Sequence, residues 1–346
     1  MAGIQLPLDC TRIAYSAASD TRRRNGTTRI LILVATGVMF AVLTGGTQAG
    51  EFKRQRSQTP SGSSKRAFRQ QAIKNLPIQD LTPQAQRKIG SVVSGASVYR
   101  RVPSVTIQCD ANLEVFLLRN PHVVIDIWKL MGITGLEMQR KGEFSFDSSD
   151  GMGTTCNIDL VYSRPELHLY YGRGTYDGKL SPNPINGECV VMIQCRFGKH
   201  LDGTPLITNH MDVFLRLDGA ALDFLARTFH PLFGKSVDTN YLETAKFLQR
   251  LSATAQRNPA GMLGLARSLD DLEPATRDQF SQISMNVGER YELRSAQLAR
   301  VSEQSTQPAG PDQETQSLSD TRQLRPAPAR SARRKPAMSP PVDGSR

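Results

Sequence analysis

The 346-residue sequence predicts an α+β fold, an antiparallel sheet meander gripping a long C-terminal helix, with additional C-terminal helices. Three observations predict it. Apolar residues recur with period two in successive runs between 137 and 218. Turn signals, Asp150-Gly151 and the Pro/Gly/Asn-rich 178–187, separate those runs by short loops, so neighbouring strands pair as hairpins. After Gly219 the period returns to 3.6, the repeat of a helix with one apolar face.

The elements follow in order. Residues 102–109 form a short β-type run. Asp110 caps a helix through Arg119, and Pro121 opens a second through Leu130 that stops near Gly132. Residues 137–147 read as one strand. In 154–162, Cys156, Ile158, Leu160 and Tyr162 share a face. A strand at 166–176 precedes the loop. Residues 188–197 then place Cys189, Val191, Ile193, Cys195 and Phe197 together, and 206–218 does the same for Ile207, Met211, Val213, Leu215 and Leu217. This counts six strands. Residues 220–229 are helical up to Pro231. Val237, Tyr241, Ala245, Leu248, Leu251 and Ala255 mark one face of a long helix over 237–257. A shorter helix starts at Asn258-Pro259, and Pro274 opens a last one to about Met285.

Charge and aromatic content set the boundaries. The chain carries +11 in all, of which residues 50–101 hold +9, whereas 102–300 sum to −3. Seventeen of the 22 aromatic residues lie between Val102 and Tyr291. Residues 97–295 are therefore expected to be a single α+β domain. Residues 50–96 are expected to be a basic, largely disordered stem with possible short helices, and 296–346 a disordered Pro/Arg-rich tail. With the positive charge outside the domain, nucleic acid is not an expected partner. An anionic envelope surface touching the stem is.

The run 30–43 (ILILVATGVMFAVL) follows Arg22, Arg23, Arg24 and Arg29 and precedes Thr47-Gln48-Ala49. This is a signal-peptide pattern with cleavage after Ala49, and retention as a membrane anchor is the alternative. Its 14 residues span about 21 Å as a helix, short of the roughly 30 Å hydrocarbon core. The mature chain, periplasmic or secreted, would keep Cys109, Cys156, Cys189 and Cys195. Cys189 and Cys195 lie about 20 Å apart on one strand, so neither can pair with the other. Each either pairs with Cys109 or Cys156 or packs as a small hydrophobe.

The order strand, two short helices, antiparallel meander, long helix over residues 100–257 resembles the helix-grip, or START-like, fold of the Bet v 1 and polyketide-cyclase group. The resemblance implies a curved sheet around an apolar cavity beside the long helix. Six strands stand here where that group usually has seven, and further helices follow the gripping one. The stretches NPHVVIDIWKLMGIT and DGMGTTCNIDLVY also resemble an uncharacterised family of exported bacterial proteins, which implies no activity.

The chemistry-bearing residues are sparse. His210 and Asp212 share a strand face and His168 could lie beside them. That trio could bind a metal, but the face opposite Met211 and Val213 is expected to be a solvated polar face, so no metal site is assigned. Gly234-Lys235-Ser236 ends like a phosphate-binding loop, but Phe229 stands where glycine is required. The glycine-rich 172–178 ends a strand without opening a helix and reads as a bulge or turn. GxSxG, HExxH and GxGxxG are absent, so no cofactor and no catalytic residue is assigned. Trp128, Ile193, Met211, Val213 and Phe247 are the candidate contacts for an apolar ligand, with plain core packing as their other role. The expected function is an exported, non-enzymatic domain binding a lipid or other apolar small molecule. A structural or interaction protein of the cell envelope without a cavity is the alternative, and a cyclase- or hydrolase-like enzyme is third.

Overall fold

The period-two runs become strands, and their pairing order decides what they enclose. The computed structural model describes residues 61–179, 181, 183–218 and 230–306. Its strands are β1 (Val98–Arg101), β2 (Val105–Gln108), β3 (Glu137–Gly142), β4 (Ser145–Ser149), β5 (Thr154–Arg164), β6 (Leu167–Tyr176), β7 (Ile185–Lys199) and β8 (Pro205–Leu217). They form one antiparallel sheet in the order β1-β8-β7-β6-β5-β4-β3, with β2 also paired to β8. The earliest strands thus return beside the last one.

Among the described residues seven α-helices accompany the sheet. They are α1 (Arg66–Lys74), α2 (Pro83–Ser94), α3 (Ala111–Arg119), α4 (Pro121–Leu130), α5 (His230–Arg257), α6 (Pro259–Arg267) and α7 (Pro274–Thr306). The chain divides into two compact units, Met1–Ala299 and Arg300–Arg346, and the sheet belongs to the first. The signal or anchor segment, the start of the stem, the helix expected at 220–229 and the tail beyond 306 lie outside the described residues. No helix among the described residues is long and apolar enough to cross a membrane.

The strand count differs from the expected six for two local reasons. One strand, β1, lies before the expected run 102–109, parted from β2 by Val102, Pro103 and Ser104, of which Pro103 has no N–H to give the ladder. The pieces on either side, β1 and β2, pair separately with Leu215–Asp212 and Asn209–Leu206 of β8. The expected strand 137–147 is a hairpin instead, with Glu143 and Phe144 at its turn and a register shift between Arg140 and Gly142. The β4–β5 turn was legible. Asp150 Oδ1 accepts from the backbone N–H of Met152 (2.7 Å) and Thr154 (2.8 Å). Gly153 there has φ 110°, and a Cβ on it would lie 2.6 Å from the Asp177 carbonyl oxygen.

Both faces of the sheet are covered. On one, α3 to α7 join Cys189, Val191, Ile193, Met211 and Val213 in the larger core. On the other, α1 and α2 meet Leu169, Tyr171, Val190, Met192 and Phe214. Residues 66–94, expected within a largely disordered stem, are therefore part of the fold. Thr82 caps α2, its Oγ1 accepting from Ala85 N–H, and Pro83 occupies the first turn. The buried Ala85, Ile89, Val92 and Val93 then give α2 its single apolar face. The two arginines at the end of β1 alternate as strand residues must. Arg100 pairs with Asp238 of α5, while Arg101 reaches the other way to Asp212 of β8 (2.8 Å). At the C-terminal end α7 continues to Thr306, well past the expected stop near Met285.

Candidate functional site

Two short helices and the long one bound an apolar cavity of about 30 Å³. The Asp110 cap fixes the start of α3 by accepting from Asn112 N–H (3.0 Å) and Leu113 N–H (3.2 Å), so α3 presents Leu117 and Leu118 to the cavity. Pro121 restarts the chain as α4, whose Val124 and Trp128 form a second wall. Tyr170 of β6 and Leu248 of α5 close the remaining sides. The two hydroxyls on the wall are already engaged. Tyr170 Oη donates to the Leu118 carbonyl, and Thr244 Oγ1 donates to the Asn240 carbonyl (2.9 Å).

The five candidate ligand contacts separate here. Trp128 lies on the cavity wall, 1 % exposed, and Phe247 of α5 meets its ring edge-on with centroids 5.3 Å apart. Ile193, Met211 and Val213 are packed into the sheet face of the larger core, and none of them lines the cavity.

A polar cluster that no motif marks lies on the same helix faces. Glu114 of α3 is fully buried, and its Oε1 accepts a short hydrogen bond from Asn209 Nδ2 of β8. Glu114 Oε2, Asn209 Oδ1 and the buried Tyr241 Oη of α5 have no hydrogen-bond partner among the described residues. Burial pushes the Glu114 carboxyl up to about 7, against the Asn209 amide and Cys109 thiol, which favour the ionised form. Tyr241 is raised too, first by burial and then by the Glu114 charge, so the two groups sense each other.

His168, His210 and Asp212 do not come together. His168 pairs with Ile193 across β6 and β7, which puts it on the face of the larger core, whereas His210 and Asp212 occupy the opposite face. That opposite face was expected to be solvated, yet Asp212 is completely buried beneath the N-terminal segment. It accepts from Tyr99 Oη (2.6 Å) and two nitrogens of Arg101 (2.8 and 3.0 Å). Among the described residues no group of three or more His, Cys, Asp or Glu is placed to hold a metal ion.

Cys109, Cys156, Cys189 and Cys195 are all buried and none forms a disulfide, which of the two roles expected is the packing one. Burial raises each of them, Cys189 to about 12, so none is an activated nucleophile. The glycine-rich stretch is also not the expected bulge or turn at its start. Gly172 lies inside β6 opposite Cys189, and a Cβ on it would come 2.7 Å from the Cys189 sulfur.

No family model matches the chain, and no curated protein matches it either. Among solved structures it is similar to a conserved protein from Geobacillus kaustophilus, at 13% identity and a TM-score of 0.25. That match covers 41% of this chain and 93% of the other. The hypothetical protein jhp0584 from Helicobacter pylori matches at 12% identity over 42% of this chain and 86% of its own, with a TM-score of 0.29. The Mll3558 protein from Rhizobium loti gives 17% identity, coverages of 41% and 97%, and a TM-score of 0.23.

Buried polar residues are invisible to a reading based on motifs. Glu114 sits among Leu113, Phe116, Leu117 and Leu118, and that position in an otherwise apolar helix face was the available signal.

Proposed function

We propose that this protein is an exported, non-enzymatic binding module of the helix-grip type that holds an apolar group between the α3–α4 pair and α5. The observation that carries the reading is the composition of the cavity wall, aliphatic and aromatic with both hydroxyls engaged by backbone carbonyls. A wall with no uncommitted polar group favours an apolar occupant and offers nothing for acid–base chemistry. The order β2, α3–α4, meander, α5, with β1 and β2 back beside β8, supports the helix-grip arrangement. Export rests on the basic and apolar pattern before Ala49, and contact with an anionic surface on the basic residues before the sheet.

The cavity is far smaller than the roughly 300–1,000 Å³ of ordinary ligand sites, so an occupant must part α5 from α3–α4. This size is what favours the second reading, an envelope interaction protein with a filled core. Trp128, the only tryptophan of the chain, is a built-in reporter. An acyl chain brominated along its length quenches Trp128 emission saturably if it enters the cavity, and Leu248→Phe weakens that quenching. Absence of quenching, together with no small molecule retained in native mass spectra, leaves the interaction-protein reading in its place.

A further inference from the structure

We propose that the ligand of this cavity carries a hydrogen-bond-donating head, a primary ammonium, seated on Glu114, Asn209 and Tyr241. The inference rests on the apolar-group reading above and deepens it by naming the other end of the molecule.

Helix geometry joins the two places. Glu114 stands three and four residues before Leu117 and Leu118, one turn along the same face of α3. Tyr241 stands three and seven residues before Thr244 and Leu248 on α5, again on one face. Asn209 reaches Glu114 from the sheet side. The polar cluster therefore stands about one helical turn from the cavity wall on both helices.

Beyond the Asn209 amide and the Cys109 thiol, the polar cluster is short of donors. Glu114 Oε2 and Asn209 Oδ1 are unmet acceptors and Tyr241 Oη is an unmet hydroxyl. Native interiors rarely leave such atoms unpaired, so three together call for an occupant. Glu114 makes no ion pair among the described residues, and no cation is among the groups acting on it. A carboxylate or phosphate head would meet the Glu114 charge with its own. An alcohol supplies a single O–H. An ammonium supplies three N–H donors and the missing countercharge. An internal water is the simplest rival occupant, because it can bridge the same three atoms.

Titrations of the purified protein with dodecylamine, dodecanol and dodecanoate, read by Trp128 emission, separate these possibilities. The expected ranking is amine first, by roughly tenfold or more over both other heads, which corresponds to about 1.4 kcal/mol. Glu114→Gln should lower the affinity for the amine at least about tenfold, with dodecanol changed less than about threefold. Tyr241→Phe, which removes only a hydroxyl, should weaken the amine by a few-fold. The wild-type ranking decides the matter if Glu114→Gln fails to fold. Equal binding of the three heads, or an amine affinity indifferent to Glu114→Gln, overturns the head assignment while the cavity reading stands. A crystal structure of the amine complex with water on the three atoms does the same. Failure of all three amphiphiles to bind overturns both.

Discussion

The two faces of the sheet solve the same packing problem differently. Beneath α1 and α2 the contacts are closed. Tyr99 packs on Phe214 with ring centroids 5.1 Å apart, and the one buried carboxylate, Asp212, is held by a tyrosine and a two-pronged arginine. Beneath α3 to α5 they are open. A cavity persists beside Trp128, and Glu114, Asn209 and Tyr241 keep unpaired atoms. Among the described residues Gln194 Oε1 is the unpaired buried atom on the strands of the closed face, whereas the other face leaves both unfilled space and several unmet polar atoms. The proposed binding site and the closely packed N-terminal helices thus lie on opposite sides of one sheet.

Breaking the closed side should have the largest effect. Asp212→Ala strands Arg101 and Tyr99 in a buried place, and the expected loss is about 3–5 kcal/mol, read from urea unfolding. A loss below about 1 kcal/mol would show that the N-terminal helices are not anchored there.

The open side should instead respond to pH. Glu114 is raised in the fold from its ordinary 4.5 to about 7, so the folded state holds its proton more tightly than the unfolded chain. The associated stability is fully present below about pH 4.5 and is lost as pH rises through about 7. Glu114→Gln is consequently more stable than the wild type at pH 8, by on the order of 2–3 kcal/mol, and the gap closes by pH 4.5. Subtracting the two unfolding profiles cancels the buried His122 and His168, which are common to both. A gap of one size at every pH would contradict the burial of Glu114 as an unpaired carboxyl.

The smallest effects sharpen the contrast in packing. Leu248→Phe points added volume at a void and should change stability by less than about 1 kcal/mol. Met192→Phe, a completely buried position facing α1 and α2, should cost about 1–3 kcal/mol through overpacking. Thermal midpoints of the pair measure the difference, and equal costs would remove the distinction between an open and a closed face.

Part of this was legible in the residues. The runs after Thr154 alternate cleanly because each strand turns one phase toward a core, and the helix caps at Asp110, Pro121 and Asn258 stand where the sequence places them. The helices α1 and α2 were not legible as part of the fold. Each is too short to persist alone in water, so its existence depends on a partner surface distant in sequence. The clue was in β7, where Val190 and Met192 make the second phase as apolar as the first, the mark of a strand covered on both sides.

By itself, then, the sequence determined the α+β class, the meander, the long helix and the position of Trp128, since these follow from local periodicity and capping. It also distributed the positive charge, although residues 66–94 of what read as a stem are largely helical, and Arg100 and Arg101 just after it are bound to buried carboxylates. The tertiary structure alone decided which faces are buried and which polar atoms remain unpaired. It parted His168 from His210 and Asp212, and it brought Asn209 of β8 onto Glu114 of α3, with Tyr241 of α5 within reach of the Glu114 charge. Periodicity can assign a side chain to a face, but only the pairing of distant strands and helices fixes what that face meets.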